Sequence, residues 1–538
     1  MGRLLIAASL LGGCGLVPLP GTSSEPLRPT AALTAPPTAP PSVSATPAGS
    51  TPAATPETAA EPALATLYGD GHDNDHGGAK IEVIGLERTT ATSVTARLRI
   101  SADSGQVRLE GFRASGLPGT TLYDFVYAFS GFYLLDHPRL AAYYPMRKQD
   151  IDSRAPCLCS YPEHFAMVKP GAPAELWAVY QVPPETTSVA VGFHHAGLTP
   201  PLPISPAGAG ARLDDEPDAA TIAAAFPTTV PLATQLTGPT SSVAESDKEV
   251  EIALNTDVLF DFDKATITPQ ARETLRRTAD RIGAEAKGTV RIAGHTDDVG
   301  ADRYNLDLSL RRAKAVERAL AALVPDATFR TEGRGEEQPA DGGRSDQARA
   351  RNRRVQVMFE RQPATAARTS QEATPPVVAS ATPGPVDTSA TPGPVVASAT
   401  GVRDLTGLGA DLLELRRISD KVVIATVDFR HTGEGGPVVL EEGAWDRDLD
   451  EVGTGDGVKT DFFWLALTDA ARTRYHPLVN AGSRHPRRCV CSTPILTKVG
   501  PGEHIRMFVL MTAPPADVTS VDVNLFGFTA MKGVPVSG

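Results

Sequence analysis

The tetrapeptide Cys157-Leu158-Cys159-Ser160 recurs as Cys489-Val490-Cys491-Ser492, which lies 489 − 157 = 332 residues further along the chain. The same displacement relates other short sequences on both sides of these cysteines. The matched sequences are Tyr143 with Tyr475, Pro145 with Pro477, Thr187-Ser188-Val189 with Thr519-Ser520-Val521, and Pro203-Ile204-Ser205 with Pro535-Val536-Ser537. A constant displacement over this distance indicates one domain present twice, with another block inserted between the copies.

Three stretches poor in large apolar residues separate the folded blocks, because such sequences cannot bury a core and are expected to be disordered. The third contains ATPGPV twice, which is typical of a low-complexity spacer. We therefore predict seven segments: a signal peptide at 1–13, a Pro/Ala/Thr tether at 14–66, a first β-sandwich at 67–205, a linker at 206–246, a central domain at 247–361, a linker at 362–401 and a second β-sandwich at 402–538.

The two outer blocks carry the alternation of apolar and polar residues that is typical of strands. The first contains KIEVIGLE, SVTARLRI, AELWAVYQV and SVAVGF, and the second contains KVVIATVDF, DFFWLAL, HIRMFVLM and SVDVNLFGF. Short strands at this spacing, separated by Pro, Gly and Thr, predict an immunoglobulin-like sandwich for each copy.

The N-terminal sequence MGRLLIAASLLGGC joins one arginine, an apolar run from Leu4 to Leu11 and two glycines before Cys14. This order is typical of a secretory signal peptide. It resembles the lipobox of bacterial lipoproteins, whose cysteine carries acyl chains such as palmitate. The alternative is an ordinary signal peptide followed by a chance cysteine. No later run approaches the roughly eighteen apolar residues that span a bilayer, so we expect an exported protein held in the membrane by lipid.

Four cysteines remain besides Cys14, and export favours disulfides between them. Because both copies keep a full pair, closure within each pair (Cys157 with Cys159, Cys489 with Cys491) is favoured over bonds between the copies. Alternate Cα atoms of an extended chain lie near the upper limit of disulfide reach, so local closure requires a bend. A zinc site would need further ligands that both copies share, and none lies nearby.

The central block has strand-like and helix-like segments in alternation. A strand at Ile252–Phe262 is followed by a helix that begins at Thr268-Pro269, as an N-cap and first-turn proline would direct. The expected buried face of this helix is Ala271, Leu275, Ala279 and Ile282. A later helix is expected to bury Leu306, Leu310, Ala313, Val316, Leu320 and Leu323. These patterns predict an α/β sandwich with helices on a mixed sheet.

Four motifs of this block resemble the OmpA C-terminal domain, which peptidoglycan-associated lipoproteins share. They are FDFD (260–263), GHTDDVGADRYNLDLSLRRA (294–313), GRGEEQP (333–339) and NRRVQV (352–357), within about residues 250–360. The expected architecture is therefore an α+β multidomain protein. It places a central OmpA-like α/β sandwich between two duplicated all-β immunoglobulin-like sandwiches, joined by disordered linkers.

The resemblance implies binding to the diaminopimelate of the peptidoglycan stem peptide. Asp297 would receive the ligand's ammonium and Arg312 its carboxylate, and such opposed side chains complement a zwitterion. Asn305 would open the helix and fix the loop before it. The remaining implied site residues are Thr296, Leu308, Phe262 and Asp263 in the wall and Asn352 and Arg353 at the border. The alternative is that Asp297 and Arg312 form a structural salt bridge with each other.

Composition and motifs restrict the function further. The net charge of −12 and the balanced charges of the central block argue against nucleic acid as a partner, despite the arginine-rich stretch at 344–354. The acidic stretch at 446–457 lacks the glycine and the closing glutamate of a calcium loop, and the stretch at 69–78 has no counterpart in the second copy, so no metal or other cofactor is expected. No arrangement of residues typical of an enzyme is recognised.

We therefore predict an exported, lipid-anchored envelope protein that binds peptidoglycan. It would lie in the outer membrane, or on the outer face of the plasma membrane of a cell with a single membrane. The alternative is an adhesion or receptor-like protein. In that case the duplicated β-domains would bind a protein or glycan, and the central domain would only place them on the wall.

Replacing Cys14 by Ser is expected to move the protein from the membrane fraction to the soluble or culture fraction, because the acyl chains would be its anchor. Cell fractionation without detergent, with immunoblotting, measures this shift. Unchanged membrane retention of Cys14→Ser would contradict the lipoprotein interpretation.

Overall fold

A computed structural model describes residues 62–69, 78–102, 105–109, 131–148, 157–160, 166–193, 196–362, 394–402, 405–433, 436–440, 465–481, 489–491 and 497–538. The signal peptide, Cys14, most of the tether and of the 362–401 linker, and nearly all of both acidic stretches lie outside these residues. The described residues belong to one compact unit, Glu61–Gly538. No helix in this part of the chain is long and apolar enough to cross a bilayer.

The first β-block covers residues 62–205. Its strands are β1 (Ala65–Gly69), β2 (Ala79–Thr90), β3 (Ser93–Ala102), β4 (Val107–Arg108), β5 (Phe132–Asp136), β6 (Ala141–Arg147), β7 (Met167–Val168), β8 (Ala174–Gln181), β9 (Ser188–Phe193), β10 (Gly197–Leu198) and β11 (Leu202–Pro203). One layer has the antiparallel order β1–β2–β3–β8, and the other has β6–β5–β9 with β10 and β11 against β9. Alternate residues of both layers, such as Val94, Leu98 and Val191, form the core between them.

The segment between the first β-block and the central domain is folded. It contains α1 (Ala219–Ala223), β12 (Phe226–Thr237) and β13 (Ser241–Ser246).

The central domain follows directly from β13. Its elements are β14 (Glu249–Asn255), α2 (Thr256–Leu259), α3 (Ala271–Glu285), β15 (Ala286–His295), α4 (Asp302–Ala321), β16 (Thr328–Gly335), α5 (Asp346–Asn352) and β17 (Arg354–Arg361). Strand β15 pairs with β16 in parallel, and the pairs β13–β14, β14–β17 and β15–β17 are antiparallel.

The second β-block covers residues 394–538. Its strands are β18 (Ala397–Thr400), β19 (Leu408–Arg417), β20 (Val422–His431), β21 (Val438–Leu440), β22 (Leu465–Thr468), β23 (Arg474–Asn480), β24 (Thr497–Val499), β25 (His504–Thr512), β26 (Ser520–Leu525) and β27 (Met531–Pro535). One layer is β18–β19–β20–β25, as β1–β2–β3–β8 is in the first block. Strand β26 lies 520 − 188 = 332 residues after β9, which supports the internal duplication.

Strand β12 shows that the predicted fold class is wrong. Its first half, Phe226–Pro231, pairs with β6 of the first β-block, and its second half, Leu232–Thr237, pairs with β23 of the second. Its second half also pairs with β13, which continues into the sheet of the central domain. Among the described residues, backbone pairing joins 23 strands into one sheet. The chain is therefore predominantly β and continuous, and the 206–246 segment is not a disordered linker between separate domains.

Burial explains why this segment folds. Val230 and Leu232 alternate with exposed residues in β12 and enter a core shared by both β-blocks. The other large members come from β5 and β6 of the first block and from β20, β23 and β25 of the second: Tyr133, Leu135, Tyr144, Ile424, Leu478, Phe508 and Leu510. Burial of these apolar residues and backbone pairing with β6, β23 and β13 therefore order a strand whose composition alone indicates a linker.

Each Cys-x-Cys sequence lies between two diverging strands. In the first block, β6 and β8 pair at Pro145, which has no amide hydrogen to continue the ladder. Beyond it, Cys157 bridges to β6 and Cys159 to β8. Cys489 and Cys491 make the equivalent bridges to β23 and β25. The structure bonds the two sulfur atoms within each pair, with Cα atoms 5.4 Å apart.

Helix α3 buries the predicted face, Ala271, Leu275, Ala279 and Ile282. The predicted face of α4 is partly wrong. Leu306 and Leu323 are 45% and 50% exposed, whereas Leu308, Ser309 and Arg312 are buried.

Close contact with the sheet sets the rotation of α4. A Cβ atom on Gly294 would lie 2.1 Å from the Ser309 carbonyl oxygen, and one on Gly333 would lie 2.7 Å from that of Leu306. The helix therefore approaches β15 and β16 through glycines rather than through its leucines.

Leu232→Ala is expected to lower the free energy of unfolding by about 2–5 kcal/mol, because it opens a cavity in the core that both β-blocks share. Denaturant titration followed by circular dichroism measures the change. Thr229→Ala, at an exposed position of the same strand, is the control and is expected to change stability little. Equal effects of the two substitutions would show that β12 contributes no core residue.

Mass spectrometry of unreduced peptides is expected to find Cys157 joined to Cys159 and Cys489 joined to Cys491. Free thiols, or a bond between the two β-blocks, would contradict local closure.

Candidate functional site

Asp297 lies in the loop between β15 and α4 and is half-buried. Its Oδ1 accepts a hydrogen bond from the Val299 amide at 3.3 Å, and its Oδ2 accepts one from Arg353 Nη1 at 2.8 Å. Gly300 has a φ of +116°, a conformation that favours glycine, and allows the loop to turn back towards the helix. The carboxylate is therefore held on two sides.

Asn305 fixes this loop, but it does not open the helix as predicted. Helix α4 begins at Asp302, with Ala301 as its N-cap. The buried Asn305 side chain donates from Nδ2 to the carbonyl oxygen atoms of Asp297 and Val299, at 3.4 and 3.2 Å. The same nitrogen donates to Glu336 Oε2 at 2.8 Å. The amide thus ties both the loop and Glu336 to the helix.

Arg312 is only 6% exposed. Its Nε donates to the Lys264 carbonyl oxygen at 3.0 Å, and its guanidinium carbon lies 5.4 Å from the centre of the Phe260 ring. Burial lowers the pKa of Arg312, while the charges of Asp257 and Asp263 act in the opposite direction. Within the described ranges, no carboxylate forms an ion pair with it. Asp297 and Arg312 therefore do not form the salt bridge with each other that was the alternative interpretation.

Arg353 connects two acidic side chains. It donates to both carboxylate oxygens of Asp257, at 2.9 and 2.7 Å, and to Asp297 at 2.8 Å. The hydrogen bond to Asp257 is the main interaction that raises the pKa of Arg353. Arg353 thus borders the site and positions Asp297. Asp257 lies three residues before the start of the FDFD motif (260–263), outside the residues that carry the family resemblance.

Asn352 has a structural role. Its Oδ1 accepts from the Asp341 amide at 2.9 Å, and its Nδ2 donates to the Asp341 carbonyl oxygen at 2.8 Å. Both polar atoms are used within the loop before α5, so the side chain supports the site from behind.

The remaining predicted wall residues differ in exposure. Leu308 and Thr296 are buried, whereas Phe262 is 97% exposed. Asp263 has a φ of +60° and accepts a hydrogen bond from the Tyr304 hydroxyl, a contact that sequence reasoning missed. This contact ties the turn that carries Phe262 to α4.

His295, next to the loop, adds no charge to the site at neutral pH. Burial, reinforced by the charge of Arg354, lowers its pKa to about 3. The described part of the chain contains no group of three His, Cys, Asp or Glu residues that could hold a metal ion. Among the described residues, the site combines the Asp297 carboxylate, which pairs with Arg353, with the Arg312 guanidinium, which pairs with no carboxylate.

Comparison with known proteins connects this site to one family. The model of the OmpA family matches residues 259–353. Outer membrane protein A of Bordetella avium is 36% identical over 123 residues, which cover 21% of this chain and 63% of that protein. A putative lipoprotein of Escherichia coli K12, YfiB, is 32% identical over 117 residues, which cover 21% of this chain and 73% of that protein.

Other relatives match only through a part of their length. Outer membrane porin F of Pseudomonas fluorescens is 36% identical over 112 residues, which cover 34% of that protein. The peptidoglycan-associated lipoprotein from Burkholderia pseudomallei is 34% identical, and the match covers 20% of this chain and 88% of that structure, with a TM-score of 0.17. A TM-score at this level does not by itself establish a shared fold.

Proposed function

Since the chain belongs to the OmpA family through its residues 259–353, we propose that its central domain binds peptidoglycan non-covalently through the diaminopimelate of the stem peptide. The free end of diaminopimelate is a zwitterion with an ammonium and a carboxylate group. Asp297 would bind the ammonium and Arg312 the carboxylate.

The observation that carries this proposal is the buried guanidinium of Arg312. Burying a cation without a counter-ion is costly. Its Nε is occupied by the Lys264 carbonyl oxygen, whereas its Nη1 and Nη2 donate to no protein atom in the described residues. A guanidinium held in this way presents two parallel donors that match a carboxylate. A ligand carboxylate would supply the missing counter-charge.

Asp297 is prepared for an ammonium group by its neighbours. Arg353 is anchored by two hydrogen bonds to Asp257 and holds Asp297 with its third. The Asn305 amide fixes the backbone of the same loop. A carboxylate held in place loses little conformational freedom when it binds a ligand, which favours affinity.

The relatives' names support a place in the cell envelope. They include outer membrane proteins, a putative lipoprotein and a peptidoglycan-associated lipoprotein. We infer that this chain is likewise an envelope protein, anchored through acyl chains on Cys14 and attached to the wall by the central domain.

Asp297→Asn and Arg312→Met are each expected to weaken binding to purified sacculi by at least about thirty-fold. Removing one partner of a desolvated charged contact typically costs about 2–5 kcal/mol. Asparagine keeps the shape of the aspartate, and methionine keeps the apolar stem over Phe260. Co-sedimentation with sacculi and calorimetry with a diaminopimelate-containing muropeptide measure the loss.

Arg311→Met is the matched control, because Arg311 is an exposed neighbour paired with Asp307. It is expected to bind almost as well as the wild-type protein. The double variant of Asp297 and Arg312 is expected to bind little worse than either single variant, since both side chains serve one ligand. Folded Asp297→Asn protein that binds sacculi normally would end the assignment of this site.

A further inference from the structure

One outer face of the first β-block is covered by a short irregular segment. We call this the capped face. It consists of Met146, Leu158, Trp177 and Val179, from the end of β6, the Cys-x-Cys sequence and β8. Residues 206–225, the cap segment, bury it by packing Ile222 of α1 with Leu213 and Ala225.

The second β-block has an equivalent face at the same register. Trp177 pairs across the sheet with Arg97, as Phe508 pairs with Thr426. The Leu158 amide donates to the Met146 carbonyl oxygen, as the Val490 amide donates to that of Leu478. The equivalent face therefore consists of Leu478, Val490, Phe508 and Leu510.

A whole sheet covers this equivalent face. The outer face of β5, β6 and β9 from the first β-block packs on it, together with Val230 and Leu232 from the middle of β12. The residues involved are Tyr133, Leu135, Ala142, Tyr144 and Ala190. The two blocks therefore contact each other head to tail, through different faces. Such a contact can repeat without limit unless its free ends are blocked.

Both free ends are blocked in this chain. In the second β-block, the face that corresponds to the apolar outer face of β5, β6 and β9 is polar. The strand pairing establishes the correspondence, because Leu467 pairs with Tyr475 and Val523 as Leu134 pairs with Tyr143 and Val191. Thr468, Arg474 and Asp522 stand where the first block has Leu135, Ala142 and Ala190. The other free end is the capped face.

Within the part of the chain that the structure describes, the cap segment lacks the backbone pairing with other elements that holds the strands on either side of it. Ile222 is the buried residue of α1, and most of the segment is exposed. Buried Arg97 donates to Glu87 and to Glu216, and the Gly208 amide donates to Glu87. In the described residues, the backbone hydrogen bonds of 206–225 stay within the segment. Segments held only by side chains open more easily than paired strands.

We propose that the cap segment is a displaceable cover of an interaction surface, and that the uncovered capped face binds the capped face of a second copy of this chain. Strands β11 and β12 hold both ends of the segment, so it can lift while the sheets stay paired. When it lifts, the apolar sheet face of β5, β6 and β9 remains occupied within the chain, and its counterpart in the second block is polar. Two uncovered faces therefore pair with each other about a twofold axis.

The test uses the full-length chain with Cys14→Ser, which removes the proposed acylation site, and either of two cap substitutions. Ile222→Asp removes the apolar contact, and Glu216→Lys places a second cation beside Arg97. Hydrogen exchange is expected to show faster exchange in 206–225 and in β8, with β2 and β9 still protected. Sedimentation velocity is expected to show a weight-average mass that rises with concentration to about twice that of the wild type, as a twofold pair requires.

Adding Leu158→Arg to either substitution is the matched control, because it places a charge in the centre of the proposed surface. It is expected to restore the monomer while the cap stays open. Open, folded variants that remain monomeric would overturn the proposal, as would a dimer that persists with Leu158→Arg. Loss of protection throughout the first β-block in both cap variants would show that the segment is part of the core rather than a cover. A dimer that fails to form while another envelope protein binds the open face would also overturn it.

Discussion

Strand β12 is the constraint on which the arrangement of the chain depends. A strand has two edges for hydrogen bonding, and β12 uses them for three partners along its length. Its first half extends the sheet of the first β-block, and its second half lies between β23 and β13. The hairpin to β13 then continues into β14 of the central domain. Because backbone ladders are directional, this one strand sets the orientation of both β-blocks and of the candidate site.

Ion pairs reinforce the junction at the end of this hairpin. Glu245 of β13 pairs with Arg281 and Arg361 of the central domain and with Lys421 of the second β-block. The cations outweigh the effect of burial and lower the pKa of Glu245. The carboxylate therefore stays ionised at neutral pH, and the central domain is held at a defined angle to the β-blocks by charges as well as by backbone pairing.

The candidate site and the packing of the two duplicated β-blocks both depend on which groups are left without a partner. Asp257, Arg353 and Asp297 pair with one another, whereas Arg312 is buried without an acidic partner in the described residues. The proposal that the site binds a zwitterion rests on this asymmetry. The outer face of β5, β6 and β9 is apolar in the first β-block, whereas the corresponding face of the second β-block is polar. This difference decides that the two copies pack on each other in a single way.

The sequence alone determined the local features whose cause is local. The apolar stripe of α3 follows from helical spacing, and the family motifs predict that Asp297, Arg312 and Arg353 belong to one site. Tertiary structure decided the rest. The 206–246 segment is ordered by strands far away in the chain, which no local pattern reveals. The buried face of α4 is chosen by contact with Gly294 and Gly333, so Arg312 is buried and Leu306 is exposed. Burial is a property of what surrounds a residue, and distant parts of the chain supply those surroundings.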